Sequence, residues 1–155
     1  MTALPQQVPD SGVELGILTD LAGYHLRRAS AAVAADFARA LEGTKMRQVL
    51  FAVLSVVAAN PDINQGMVGR SLGIQRANMV ALINELVGMN LLERQVSKDD
   101  RRAFALRLSK TGYDTLEDCI QRIRTHEDQL LSDFAPDDRD RLIQLLMRIE
   151  AKERV

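Results

Sequence analysis

Six stretches of this chain carry apolar residues at helical spacing or the caps that open a helix, and one carries strand-like alternation. From about Val13 to Leu41, the positions Leu18, Leu21, Ala22, His25, Ala29, Val33, Phe37 and Leu41 recur at three- and four-residue steps, which predicts one long amphipathic helix. Gly43 and Thr44 break it. A second helix, about Lys45 to Ala59, is apolar on nearly every face through Val49, Leu50, Val53, Leu54 and Val57, so it belongs to the core and stops at Asn60-Pro61. Asn64 can cap a short third helix ending at Gly73, with Ile74 plugging the turn. A fourth, about Gln75 to Met89, turns Met79, Leu82, Ile83 and Leu86 inward and leaves Gln75, Arg76, Asn78 and Ala81 outward, with Asn90 ending it in the left-handed conformation.

Next come two strand-like runs, Leu91 to Val96 and Ala103 to Leu108, around the charged tip Ser97-Lys98-Asp99-Asp100-Arg101-Arg102. A β-hairpin with a basic tip after two short helices joined by a tight turn predicts a winged helix-turn-helix, a unit that reads DNA. Ser109 caps a fifth helix of more than twenty residues, in which Leu116, Ile120, Ile123, Glu127, Leu130 and Phe134 keep near-heptad spacing and imply a partner helix. Pro136 opens a last helix with Asp137 and Asp138 at its positive end and Leu142, Leu145, Leu146 and Ile149 on its apolar face. The fold class is mainly α with a small β-wing. No internal repeat or low-complexity tract is present.

The 155 residues, 46% hydrophobic, suit one ordinary globular domain. No apolar run approaches the roughly 18 residues of a spanning helix, and Met1 to Gly12 lacks a basic n-region, so a cytoplasmic protein without membrane contact is expected. Charge changes the picture more. The net of −1 conceals a division: residues 45–110 carry 10 Lys/Arg against 5 Asp/Glu, a net of +5, which leaves −6 on the remainder. The basic excess coincides with the segment expected to meet DNA.

Enzymatic chemistry finds little support. Cys119 and His126, the best nucleophile pair, stand seven residues apart on one helix, about 10.5 Å along its axis and beyond hydrogen-bond reach. No phosphate-loop, dinucleotide-binding or nucleophile-elbow string occurs, and two separated histidines make a poor metal site; no cofactor is expected. A single cysteine excludes an internal disulfide. Cys119 is expected to be a packing residue, its thiol made less reactive by Asp118 and nearby Glu117.

The order of six helices and one wing resembles the MarR family of winged helix-turn-helix transcriptional regulators from about Leu15 to Glu150. The most specific part is Asp100-Arg101-Arg102 with Leu108-Ser109 and Gly112, similar to that family's D-x-R wing and L-[ST]-x-x-G junction. The resemblance implies one MarR-like domain over 1–155. Within it, a DNA-binding lobe at 45–110 stands on a helical dimerisation platform built from 13–42 and 110–153. It further implies a homodimer on a pseudo-palindromic operator. Gln75, Arg76 and Asn78 would read base edges in the major groove, where Arg pairs with guanine and Asn or Gln with adenine. Lys98 or Arg101 would enter the minor groove. Arg94, Asp100 and Arg102 look like the ion-pair set that positions the wing, with Arg102 also able to reach a phosphate.

Three residues depart from the family's pattern. Ala81 stands where many members carry a polar or basic residue, Asn90 replaces the glycine before the wing, and Gly66 interrupts the third helix at a cost of about 1 kcal/mol relative to Ala. Gly69, in contrast, falls where two helices must approach. Ala81 supports the alternative of a helical interaction module that has lost DNA binding. Family members often bind small aromatic or anionic effectors between platform and lobe. Here Tyr24, His25, Arg27 and Arg28 place a phenol, an imidazole and two guanidiniums within two turns, suited to a carboxylate or a phosphate-bearing thioester. The run YHLRRAS resembles that of regulators answering to hydroxycinnamates or their coenzyme A thioesters, which implies a ligand-responsive repressor released by an aromatic acid or its CoA thioester. Dimer-interface or plain surface duty is the competing reading of these four residues.

Overall fold

The structure, a computed structural model, describes residues 12–96 and 104–154. Helices dominate, with one three-stranded antiparallel sheet. The chain divides into two compact units, one ending at Ala35 and one beginning at Asp36.

In the first unit, the single helix expected from Val13 is broken. A 3-10 turn spans Gly16–Asp20, Leu21 is extended, and α1 runs Ala22–Ala40, its last residues entering the second unit. Gly16 takes φ +55°, a value that favours glycine, and the Thr19 hydroxyl donates to the Gly16 carbonyl at 2.9 Å. His25 Nε2 then donates to the Thr19 carbonyl at 2.9 Å, so a side chain satisfies a group that a continuous helix would have bonded internally. The apolar spacing survives such a break because a 3-10 turn repeats nearly as an α-helix does.

The second unit holds the core. α2 (Gln48–Ala59) starts three residues later than its periodicity suggests. The cause is Thr44, whose hydroxyl donates to Leu41 O at 2.7 Å and accepts from Met46 N at 3.1 Å, leaving Arg47 extended. Leu50, Val53, Leu54 and Val57 of α2 are at most 1% exposed and join Val68, Met79, Ile83, Leu86, Leu92, Leu106 and Cys119 in one cluster. Removing each such side chain from water stabilises the fold by about 1.5–3 kcal/mol before entropy is counted.

β1 (Ile63–Asn64), α3 (Gln65–Ser71), α4 (Arg76–Gly88), β2 (Leu92–Val96) and β3 (Phe104–Leu108) complete the central part. The hairpin pairs Leu92 with Leu108, Arg94 with Leu106 and Val96 with Phe104. β1 adds to the other edge of β3, Ile63 opposite Leu106, giving the order β1-β3-β2. α5 (Lys110–Leu130) is the expected long helix, but it ends before Phe134. α6 (Asp138–Glu150) begins two residues beyond Pro136, with Asp138 and Asp140 in its first turn and Arg148 in its last, both matched to the helix dipole. None of its residues is buried. No described helix is long and apolar enough to cross a membrane.

Candidate nucleic-acid interface and effector cluster

Asn64 opens the helix-turn-helix, its side chain accepting from Met67 N at 2.9 Å. The turn depends on two glycines. Gly73 has φ +65°, and a Cβ on Gly69 would lie 3.0 Å from the Ile74 carbonyl and 3.8 Å from Met79. Ile74 N–H donates to Gly69 O at 2.8 Å, so α4 leaves the turn at a fixed angle. Met79, Leu82, Ile83 and Leu86 are buried as the spacing requires, and Gln75, Arg76, Asn78 and Ala81 are exposed. Gln75 sits at the N-cap position without using its side chain as a cap.

Farther along α4 the polar side chains are occupied. Asn84 Oδ1 accepts from Arg94 at 2.5 Å, and Glu85 is ion-paired with Arg47. Among the described residues, the free side-chain hydrogen-bonding groups on the outer face are therefore those of the first turn. Gln75 and Arg76 border a hollow of about 570 Å³ between α3 and α4, lined also by Asn64, Gln65, Gly66 and Arg70. Arg70 and Gln65 were not singled out by sequence reasoning; the spacing of Gly66 and Arg70 on one helix face was the available signal.

At the base of the wing, Asn90 takes φ +59°, as a helix-ending residue there must. Ser109 donates its hydroxyl to Asn90 O at 2.7 Å and accepts Gly112 N at 2.9 Å, so one side chain ties the end of α4 to the start of α5. A Cβ on Gly112 would fall 2.1 Å from the Leu91 carbonyl. That contact explains the Leu-Ser-x-x-Gly junction, since only glycine lets α5 begin against the strand entering the wing. Arg107 on β3 forms a two-pronged ion pair with Asp62 beside β1, and the hydrogen bond and charge of Asp62 raise the guanidinium's pKa. Lys98, Asp100, Arg101 and Arg102 lie outside the described residues. Arg94, expected in the wing's ion-pair set, donates to the neutral Asn84.

In the first unit, three of the four effector candidates converge on the ring of the fourth, Tyr24. The guanidiniums of Arg27 and Arg28 stand 5.6 and 5.8 Å from the Tyr24 centroid, and Arg28 Nη1 donates weakly to the Tyr24 hydroxyl at 3.4 Å. The His25 ring meets Tyr24 edge-on at 5.5 Å. Tyr24 and Arg28 are half-buried, His25 and Arg27 exposed. The result is a cationic cluster organised around a phenol.

The remaining chemistry-bearing residues serve packing. Cys119 is 1% exposed, and burial, more than the Asp118 charge, pushes its thiol pKa up while Arg122 opposes. His126 does not face Cys119 but donates from Nδ1 to Asp36 at 3.3 Å, and Asp36 also accepts from Arg39 at 3.0 Å. Among the described residues no group of three or more potential ligands could hold a metal ion.

A helix-turn-helix followed by a β-hairpin and a long capped helix defines a winged-helix protein. The sequence model of the MarR family matches residues 51–103. A solved transcriptional repressor, CouR, bound to a 23-mer DNA duplex, is 36% identical, covers 89% of this chain and 98% of its own, and superposes with a TM-score of 0.85. CouR bound to p-coumaroyl-CoA is similar at 34% identity, 89% and 97% coverage and a TM-score of 0.78. A proposed transcriptional regulator of the hcr operon of Thauera aromatica is 29% identical over 128 residues, 82% of this chain and 77% of that one. The chain belongs to the MarR family of winged helix-turn-helix transcriptional regulators and is not an enzyme.

Proposed function

We propose that this regulator acts in the cytoplasm as a homodimeric repressor that binds a pseudo-palindromic operator and is released by an aromatic acid or its CoA thioester. The observation that carries the DNA reading is the first turn of α4: Gln75, Arg76 and Asn78 are exposed and their side chains are unbonded among the described residues, while Asn84 and Glu85 farther along are held by Arg94 and Arg47. Residues 45–110 form the DNA-binding lobe and 13–42 with 110–153 the dimerisation platform. Two recognition helices related by a two-fold axis would sit about one DNA turn apart, giving half-sites spaced by about 10 bp. Lys98 or Arg101 enters the minor groove, Arg102 reaches a phosphate, and Arg94 with Asp100 holds the wing.

The effector reading is supported by the Tyr24 cluster and by the similarity to a repressor solved with p-coumaroyl-CoA. Two guanidiniums beside a phenol suit a ligand carrying both an aromatic ring and anionic groups. A carboxylate or the phosphates of a CoA thioester supply the anion.

The test is selection of bound sequences from a random duplex pool at low salt. The expected result is an inverted repeat whose affinity falls by about 1–3 kcal/mol in Arg76→Ala. Arg102→Ala should weaken binding with little change of sequence preference. p-Coumaroyl-CoA and p-coumarate are then titrated against the bound duplex, and release that requires Tyr24 and Arg28 is expected. A protein that enriches no sequence while remaining dimeric would overturn the operator reading in favour of a helical interaction module. Unchanged DNA affinity in saturating acid and thioester would remove the effector.

A further inference from the structure

Two guanidiniums with no partner among the described residues line the hollow between α3 and α4. Among the described residues, Arg39, Arg47, Arg107, Arg122 and Arg139 each face a carboxylate. Arg70 and Arg76 line the hollow and face none. Arg70 is exposed, and its Nη1 lies over the first turn of α3, 3.6 Å from where a Cβ on Gly66 would stand. That same Cβ would come within 3.3 Å of the capping oxygen of Asn64. Gln65 borders the same space. Gly66 is the second residue of α3, and Gln75 and Arg76 line the same hollow as Arg70.

We propose that Arg70, with Gln65 beside it, holds one backbone phosphate of the operator in this hollow, and so sets the depth and register at which the first turn of α4 meets the bases. The assignment rests on the DNA reading above. Unpaired guanidiniums match the doubly oxygenated edge of a phosphodiester, and the hollow is continuous with the proposed base-reading residues. A phosphate contact fixes position without reading sequence, so its loss has a distinct signature.

The experiment measures operator affinity against salt for the full-length dimer and for Arg70→Ala. Each neutralised phosphate contributes about 0.9 to the slope of log K on log salt, so losing one contact per subunit should flatten the slope by about 1.8. The selected sequence should stay the same, and Arg70→Lys should restore most of the slope. A neutral methylphosphonate placed at successive backbone positions should weaken the wild type at one position per half-site and leave Arg70→Ala indifferent there. The unfolding midpoint of Arg70→Ala should match wild type, because the side chain has no partner among the described residues; Arg70→Gln repeats the measurement should the alanine variant fold poorly. An unchanged slope overturns the proposal, as does a changed base preference. Inorganic phosphate that binds the DNA-free protein through Arg70, with the slope on DNA unaltered, would also overturn it by assigning the hollow to a free anion. A wild-type protein that binds no duplex defeats the underlying DNA reading itself and is seen before any variant is made.

Discussion

The lobe and the last helix treat their apolar residues in opposite ways. From α2 through the first half of α5, Leu50, Leu54, Ile83, Leu86 and Leu106 are completely covered by the chain's own side chains. On α6, Leu142, Ile143, Leu145, Met147 and Ile149 are between 36% and 61% exposed. The helices of both segments show sound helical periodicity, so periodicity alone does not distinguish a helix that completes a core from one that awaits a partner. The difference teaches that the helices around the core bury their apolar residues against one another, whereas α6 presents an apolar face of the kind that marks an association surface. A second copy of the chain is the occupant that the proposed homodimer supplies.

The largest effect that could break this contrast lies in the lobe. Gly112→Ala drives a methyl group to 2.1 Å from the Leu91 carbonyl, a backbone atom that cannot rotate away. Either α5 or the strand entering the wing must shift, taking with it the Ser109 bridge to Asn90. Destabilisation of about 3 kcal/mol or more is expected, read as a lowered urea midpoint together with lost DNA binding. An unchanged midpoint would show that the junction is not the tight contact described.

On the other side of the comparison, Leu145→Ala should leave the lobe's unfolding unaltered and act on assembly. Leu145 is 46% exposed, so covering the rest of it in a symmetric dimer stabilises by about 1 kcal/mol per subunit. The two copies together correspond to a roughly thirty-fold rise in the dimer dissociation constant. Sedimentation at several concentrations would detect it. A weight-average mass that is monomeric in the wild type would remove the partner assigned to α6.

Much of the lobe was legible because its determinants are local. The cap at Asn64, the left-handed Asn90, the tight Gly69 and the Ser109 cap each follow from a residue type at a fixed offset from an apolar run. The break at Leu21 was not legible, since the 3-10 turn before it preserves the three-residue apolar rhythm. β1 is two residues long and shows no alternation to read. The pairs Arg107–Asp62 and His126–Asp36 join residues 45 and 90 positions apart, and nothing in their sequence neighbourhoods specifies the partner. The site followed the same division: the exposed first turn of α4 was readable from helical phase, whereas the occupation of Asn84 and Glu85 by Arg94 and Arg47 required the tertiary register of the wing and of α2.

The smallest effect concerns the one thiol, which sharpens where the lobe's core ends. Cys119 is buried in the same cluster as Leu54 and Ile83, and burial raises its pKa above that of an ordinary thiol. Less of it is thiolate near pH 8 than in an unfolded chain, and less reagent reaches it, so alkylation should run far slower in native protein than in urea. The sign for stability follows from the same shift. A folded-state value above the unfolded one means that the neutral thiol's contribution is complete below the unfolded value and fades as pH climbs through the folded value. Between pH 8 and pH 10 the urea midpoint of wild type should therefore fall slightly more than that of Cys119→Ala. Equal slopes, or rapid native alkylation, would place Cys119 at the solvent-accessible margin of the core and extend the uncovered character of the terminal helices back along α5.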